Sequence, residues 1–220
     1  MEFKVENGDG IDSWKEVTLV YSAALRQMET KMQILNDEFQ HVHQYNPIEH
    51  IKARIKTPES IVKKLKRYGQ ESTIVIMVKY INDIAGIRII CSFTSDIYRI
   101  ADMIRDQKDI RVIAVKDYIT YPKASGYKSY HMIVSIPVYL SDRTVDTKVE
   151  IQIRTVAMDF WASLEHKIHY KFEGDAPENI KNELVECARM VSDLDARMLS
   201  LNEEILAISK KQEEEKRQNA

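Results

Sequence analysis

The chain has 220 residues, of which 44% are hydrophobic and 30% are charged, and its formal net charge is −2. This length and composition predict one globular domain with a sizeable core. The near-neutral charge excludes a protein that attracts nucleic acid over its whole surface, so any anion site must come from a local basic cluster.

Hydropathy and cysteine usage bear on the compartment. No apolar run approaches the roughly 18 residues that a membrane span needs. The first ten residues, MEFKVENGDG, lack the basic and apolar regions of a signal peptide. Cys91 and Cys187 are far apart and lie within apolar patterns, which predicts buried, reduced thiols, with a disulfide or a metal site as the alternative. We therefore expect a cytoplasmic protein with no membrane or DNA partner.

The first elements in chain order are helical. Apolar residues recur every three or four positions over residues 11–45 and predict one long amphipathic helix. Asn46-Pro47 interrupts it, and we expect a short helical turn to follow. Thr57 suits an N-cap and Pro58 a first helical position, so a second helix is predicted from there to about Gly69.

The remainder alternates strands and helices. Residues 70–84 have no clear pattern. Strands are predicted at 85–93, 110–117, 130–140 and 147–154, and the last two form a hairpin through SDRTVD. Helices are predicted from a cap at Ser95 to 107, over 155–170 and over 177–210, with a frayed end after that. The fold class is α/β (α+β): a mixed sheet of about five strands within a core at 45–172, flanked by long N- and C-terminal helices.

Two strands carry polar side chains on one face. In KVEIQIR, Glu150 lies between hydrophobic residues that point to the opposite face of the strand. In GIRIICSF, Arg88 lies between hydrophobic residues in the same way. Asp83 stands in the turn just before the second of these strands. Ordinary half-exposed strands and a capping Asp explain this pattern. A cleft in which Asp83 and Glu150 share one hard cation such as Mg²⁺ explains it too.

A cationic helix, RIKTPESIVKKLKR, follows Ala53. Charge runs of this kind are usually solvated helix faces. However, Arg54, Lys56 and Ser60 crowd around a helix N-terminus, where free backbone N–H groups favour anions. The pattern favours phosphate binding.

A basic and aromatic loop, YPKASGYKSYH, joins two predicted strands. Lys123, Lys128 and His131 are donors suited to a second phosphate group. Tyr127 offers a flat ring that can stack on a nucleobase, and Gly126 allows a sharp bend. The alternative is a mobile surface loop whose tyrosines pack on the sheet edge.

A further helix contains Glu165, His166 and His169, but its spacing is not that of HExxH. These three are predicted to be polar residues of the helix surface rather than metal ligands.

Five segments in order resemble the motifs of one family. They are RIKTPESIVKKL, DIAGIRIIC, YPKASGYKSYH, VEIQIRT and AMDFWASLEHKIHYK. Together they resemble the synthetase domain of the RelA/SpoT stringent-response enzymes over about residues 11–205. The chain is similar to a stand-alone small alarmone synthetase of Gram-positive bacteria, and NPIEHIKAR resembles the RelP type more than the RelQ type.

The resemblance implies a nucleotidyltransferase-like fold, a homotetramer, a Mg²⁺ cofactor and pyrophosphate transfer from ATP to the 3′-hydroxyl of GTP or GDP. It implies that Asp83 and Glu150 hold the metal and that Glu150 is the base. For ATP it implies Arg54, Lys56, Ser60, Lys64 and Arg88. For GTP it implies Lys116, Lys123, Ser125, Tyr127, Lys128, His131 and Asp159, the last at a position where some relatives carry Asn.

Two other functions remain open at this point. A non-catalytic regulator could use the same basic surfaces to bind nucleotides, or RNA, although nothing indicates RNA. A nucleotidyl transferase would attack the α-phosphorus of ATP and release pyrophosphate.

Overall fold

A computed structural model describes residues 13–43, 45–171 and 176–218. Its centre is a five-stranded sheet in the order β1-β2-β5-β4-β3. The strands are β1 (Ile48–Ile55), β2 (Ala85–Cys91), β3 (Arg111–Asp117), β4 (Tyr130–Tyr139) and β5 (Thr144–Thr155). β2 and β5 are parallel and the other pairs are antiparallel. The predicted mixed sheet of about five strands is confirmed.

The helices within the described residues are α1 (Trp14–Val42), α2 (Pro58–Arg67), α3 (Ile74–Tyr80), α4 (Thr94–Arg105), α5 (Val156–Lys171) and α6 (Glu178–Gln218). Side chains from α1 and α4, such as Met28 and Ile100, join the inward-facing residues of β2 and β5 in one core. Ile89 and Ile151 are fully buried there. Since side chains alternate along a strand, the polar residues of β2 and β5 lie on the other face of the sheet.

The prediction of a short helical turn after Asn46-Pro47 was wrong, because this segment is the edge strand β1. Ile51, Ala53 and Ile55 are partly buried and alternate with exposed residues, which is the period of a strand. A shift of register between Ile48 and His50 breaks the alternation near its start and obscures the signal.

Smaller differences concern element ends. α3 occupies part of the unassigned segment 70–84. α4 begins at Thr94, and Ser95 is not its cap; instead the Asp96 carboxylate accepts the Phe93 N–H at 3.1 Å. α6 continues to Gln218, since its last turns consist of good helix formers.

Cys91 is buried, whereas Cys187 is only half-buried, and both are free thiols. Across residues 13–43, 45–171 and 176–218, none of the helices combines the length and apolar character that a membrane crossing requires.

Candidate active site

The polar face of the sheet forms a row of side chains that crosses all five strands. Lys52 pairs with Arg88, Arg88 with Gln152, Gln152 with His131, and His131 with Lys116. Residues at directly paired positions lie on the same face. Four separate sequence motifs therefore meet on one surface: NPIEHIKAR, DIAGIRIIC, VEIQIRT and YPKASGYKSYH.

A cavity of about 350 Å³ opens on this face. Its polar walls are formed by Lys52, Arg54, Asp83, Arg88, Glu150 and Gln152. Gly86 lies in its floor, paired with Arg54 on one side and with Glu150 on the other. Because Gly86 has no side chain, the space between Arg54 and Glu150 stays open.

Asp83 is held by two lysines at the edge of this cavity. Lys56 Nζ lies 2.8 Å from one carboxylate oxygen, and Lys64 Nζ lies 2.9 Å from the other. Burial alone would raise the pKa of Asp83, but the hydrogen bonds and charges of the two lysines outweigh it, so the pKa is lowered. Asp83 is therefore a carboxylate at neutral pH.

Glu150 lies in the middle of β5 and contacts two neighbours. Gln152 Nε2 donates to Glu150 at 2.8 Å, and His131 Nδ1 lies 3.5 Å from its other oxygen. Burial and the charge of Asp83 act to raise the pKa of Glu150, and the interactions with His131 and Gln152 lower it by more. Glu150 is thus also ionised, and it is near enough to Asp83 for the two charges to repel.

Two ionised carboxylates at one cavity fit a hard divalent cation, which prefers oxygen ligands. Among the described residues, no group of three or more His, Cys, Asp or Glu side chains is arranged to hold a metal ion. Such a cation would therefore need further oxygen ligands from a nucleotide or from water. The prediction that Glu165, His166 and His169 are polar residues of the helix surface rather than metal ligands stays a prediction, and the side chain of His169 lies outside the described residues.

A buried cluster of charges lies beside the cavity. Asp159 Oδ1 accepts from Arg88 at 3.0 Å and from Arg154 at 3.1 Å. Burial and the charge of Arg154 lower the pKa of Arg88, and Asp159 opposes them. The Nε of Arg88 is a buried donor for which the described residues offer no hydrogen-bond partner. A donor in this state is suited to a bound ligand.

Arg154 is the central residue that sequence reasoning missed. Only 5% of its side chain is exposed. Besides Asp159, it donates to Ser129 Oγ at 3.2 Å, Gln152 Oε1 at 3.0 Å and Tyr127 Oη at 2.5 Å. The alternation of β5 places Arg154 on the polar face with Glu150, and that was the available signal.

The loop at 121–131 lies next to these groups. Tyr127 Oη lies 2.8 Å from His131 Nε2. Lys123 Nζ lies 4.9 Å from the centroid of the Tyr127 ring. Since His131 also contacts Glu150, a continuous chain of contacts joins Arg154, Tyr127, His131 and Glu150.

Gly126 fixes the course of this loop. Its φ is +86°, and a Cβ added there would lie 2.5 Å from the Cβ of Ala188 in α6. The Gly126 N–H donates to Lys123 O at 2.8 Å and closes the turn that contains Ser125. The loop therefore packs directly against α6 and needs glycine at this point.

The remaining predicted residues are spread more widely. Lys116 is exposed on the edge strand β3, and Ser60 is exposed in the first turn of α2, where its hydroxyl accepts from Thr57 at 3.0 Å. Lys128 lines a different, small cavity with Gly126 and Asp195. None of these three lines the 350 Å³ cavity.

Comparison with known proteins gives the family. Residues 53–175 match the model of a region found in RelA/SpoT proteins. The chain is 49% identical to GTP pyrophosphokinase YwaC of Bacillus subtilis, over 89% of this chain and 93% of the relative. This chain belongs to the RelA/SpoT family.

Solved structures of family members agree with the fold. The chain matches small alarmone synthetase 2 from Bacillus subtilis with a TM-score of 0.79 and 48% identity, over 87% of this chain and 98% of that one. It matches small alarmone synthetase 1 from the same organism, bound to its product pppGpp, with a TM-score of 0.81 and 34% identity, over 87% and 97% of the chains. By sequence identity, the chain is thus more similar to small alarmone synthetase 2 than to small alarmone synthetase 1.

Proposed function

We infer that this chain is a (p)ppGpp synthetase, a GTP pyrophosphokinase that transfers pyrophosphate from ATP to the 3′-hydroxyl of GTP or GDP. One observation carries this proposal. Glu150 lines the same cavity as Asp83, Arg54 and Arg88, and it also contacts His131 at the end of the basic loop. A single carboxylate thus adjoins both the surface suited to ATP and the loop suited to the acceptor nucleotide.

The reaction requires no covalent intermediate on the protein. The 3′-hydroxyl oxygen attacks the β-phosphorus of ATP, the bond from that phosphorus to the α,β-bridging oxygen breaks, and AMP leaves. Catalysis of this kind depends on holding the two nucleotides in line and stabilising charge. Glu150 accepts the proton of the hydroxyl, as a carboxylate does in protein kinases. Its lowered pKa keeps it ionised and ready to accept at neutral pH.

The donor side is built from cations. Arg54 and Arg88 line the cavity and present planar guanidinium groups that can stack on adenine. Lys56 and Lys64, which now neutralise Asp83, are positioned to exchange that carboxylate for phosphate oxygens when ATP binds. Ser60 contributes at the N-terminus of α2, where backbone N–H groups favour phosphate.

We assign Mg²⁺ to Asp83 and Glu150, the two ionised carboxylates of the cavity. Held by Asp83 and Glu150 beside ATP, Mg²⁺ would neutralise charge that develops on the phosphate oxygens. The release of Asp83 by Lys56 and Lys64 leaves its oxygens available as ligands. The two lysines and the carboxylate of Asp83 thus exchange partners when ATP binds.

The acceptor side is assigned to loop 121–131 and its neighbours. Tyr127 presents its ring to guanine, and Asp159 can accept from guanine N1–H and N2–H₂. Lys123 and His131 lie close to Tyr127 and are suited to bind the phosphate groups of the acceptor nucleotide. Lys116 is paired with His131 on the neighbouring strand. Ser125 and Lys128 stay assigned to the acceptor by the family resemblance, although Lys128 lies beside α6.

A product assay with a matched variant tests the proposal. Incubation with ATP, GTP and Mg²⁺ should give AMP and a more phosphorylated guanosine in equal amounts. We expect Glu150→Gln, which keeps the shape of the side chain, to lower turnover by about 10²–10⁴-fold while nucleotide binding persists. A non-catalytic nucleotide- or RNA-binding regulator would form no product in either protein, and a nucleotidyl transferase would release pyrophosphate.

We also propose that the enzyme works in the cytoplasm, where its substrates are found, and as a homotetramer. Exposed apolar side chains on α6 support self-association: Leu194, Leu201, Ile205 and Ile208 are each more than half exposed. A stripe of this kind is typical of an interface. Light scattering after gel filtration should report four times the mass of 25.7 kDa, and a monomeric mass would overturn the assignment.

A further inference from the structure

Lys148 has no role in the proposed chemistry, yet it lies on β5 two residues before Glu150. Both side chains project from the same face of the sheet, because side chains alternate along a strand. Lys148 Nζ donates to Val78 O, Lys79 O and Asn82 Oδ1, each at 3.1 Å. An ammonium group has three protons. All three are used inside the protein, so Lys148 is not available to a phosphate group.

The three acceptors belong to one short segment. Val78 and Lys79 are in the last turn of α3, where carbonyl groups lack partners within the helix and carry partial negative charge. Asn82 lies in the turn after α3 and directly precedes Asp83. Lys148 therefore ties β5 to the end of α3 and to the turn that carries the first catalytic carboxylate.

The same turn is fixed on its other side by the backbone. Lys56 N–H, just beyond β1, donates to Ile84 O at 2.8 Å. β2 begins only at Ala85, so its hydrogen bonds to β5 do not reach Asp83. Asp83 thus lies between two fixed points: the backbone hydrogen bond at Ile84 follows it, and the hydrogen bond from Lys148 to Asn82 precedes it.

The placement of Asp83 relative to Glu150 matters for any ligand that both must touch. Lys56, just after β1, and Lys64, in α2, both bind the carboxylate of Asp83. Lys148 holds the neighbouring backbone to the strand that carries Glu150. We propose that Lys148 is a positioning residue that sets the spacing between Asp83 and Glu150, and thereby the affinity for the divalent cation that the two carboxylates share.

This inference rests on the proposed function, but its main test does not require turnover. The affinity for an ATP analogue with a methylene bridge between its α- and β-phosphorus atoms is measured by calorimetry, in EDTA and in saturating Mn²⁺. The ratio of the two dissociation constants reports how much the metal tightens binding. Residues that orient metal ligands typically change metal affinity by about 10–100-fold.

Lys148→Met keeps the length of the side chain and removes all three hydrogen bonds. We expect the tightening by Mn²⁺ to fall about tenfold, and the Mg²⁺ concentration for half-maximal rate to rise by a similar factor. KM for GTP at saturating metal should stay within about twofold. Lys148→Arg, which keeps donors at this position, should restore part of the metal effect.

Lys31→Met is the matched control, since it removes a lysine whose ion pair with Asp109 lies on the surface away from the cavity. Its metal effect should equal that of the unmodified protein. Asn82→Ala removes one of the three acceptors and should give a smaller shift in the same direction. It serves as the test if Lys148→Met does not fold.

A purely structural role for Lys148 would lower Tm and leave the metal-dependent tightening unchanged in both Lys148→Met and Asn82→Ala, and that result would overturn the inference. If the unmodified protein makes no alarmone but Mn²⁺ still tightens analogue binding in a Lys148-dependent way, the proposed function fails and the positioning role stands. If the unmodified protein is active and both variants show the normal metal effect, only the positioning role fails.

Discussion

Replacing Gly126 with Ala should weaken binding of the acceptor nucleotide while leaving binding of ATP intact. Gly126 has a φ of +86°, which costs an L-residue about 1–2 kcal/mol. The new Cβ would also lie 2.5 Å from Ala188 Cβ, about 1 Å closer than ordinary contact. Overpacking of this kind typically costs about 1–3 kcal/mol.

The two costs sum to about 2–5 kcal/mol, given the ranges for strain and for overpacking. The loop at 121–131 can relieve both costs by moving away from α6. The substitution therefore destabilises the state in which this loop is packed on α6, called the docked loop here, rather than the whole domain. If only the docked loop binds the acceptor, apparent affinity falls with the docked fraction. Each 1.4 kcal/mol is a factor of ten, so we expect KM for GTP to rise at least about tenfold.

Steady-state kinetics with GTP and ATP varied in turn provide the assay. Ala188→Gly in the same chain removes the contact but not the φ strain, so the double variant should recover part of the lost affinity. Gly69→Ala is the control for strain alone, because Gly69 has a φ of +66° and nothing within 4 Å of an added Cβ. Unchanged KM for GTP in Gly126→Ala, or an equal rise in Gly69→Ala, would refute the reasoning.

Three further predictions follow from the same site. Tyr127→Ala should raise KM for GTP about tenfold and leave KM for ATP within twofold, because it removes a stacking ring worth about 1–3 kcal/mol. Tyr127→Phe keeps the ring but loses the hydroxyl that contacts Arg154 and His131, so its KM for GTP should rise less than that of Tyr127→Ala. Equal effects of Tyr127→Ala on both substrates would count against the assignment. Arg154→Met should lower the free energy of unfolding in urea by about 3 kcal/mol, since it removes one of two partners of buried Asp159; a loss below about 1 kcal/mol would show that the network adds little. Asp83 has a lowered pKa in the folded protein, so the stability it contributes is present above its unfolded pKa of about 4 and is lost as pH falls through the folded value. The free energy of unfolding, measured from pH 7 down to pH 3, should therefore fall less steeply in Asp83→Asn than in the unmodified protein. An equally steep fall in both proteins would contradict this.

Local patterns predicted the parts of the site that lie on regular strands. Alternation in β2 and β5 put Arg88, Glu150 and Gln152 on polar faces, and the parallel register then brings those faces together. The same pattern was present in β1, but the irregularity after Ile48 and the preceding Asn46-Pro47 masked it. Arg54 was therefore placed at a helix start instead of on an edge strand.

Long-range packing could not be predicted in this way. The burial of Arg154 depends on α5 bringing Asp159 over the sheet and on the loop bringing Tyr127. The contact between Gly126 and Ala188 joins segments that are distant in sequence. The three hydrogen bonds of Lys148 depend on α3, which had no clear signal in the sequence. In each case the partner is fixed by the tertiary fold rather than by neighbouring residues.

The most direct test of the central claim follows the β-phosphorus of ATP. ATP labelled at that position is incubated with the protein, GTP and Mg²⁺, and the nucleotides are separated. We predict that the label appears in the guanosine product, with one AMP formed for each product molecule and no labelled free pyrophosphate. Label in free pyrophosphate, or label that remains in ATP at micromolar protein, would contradict the account.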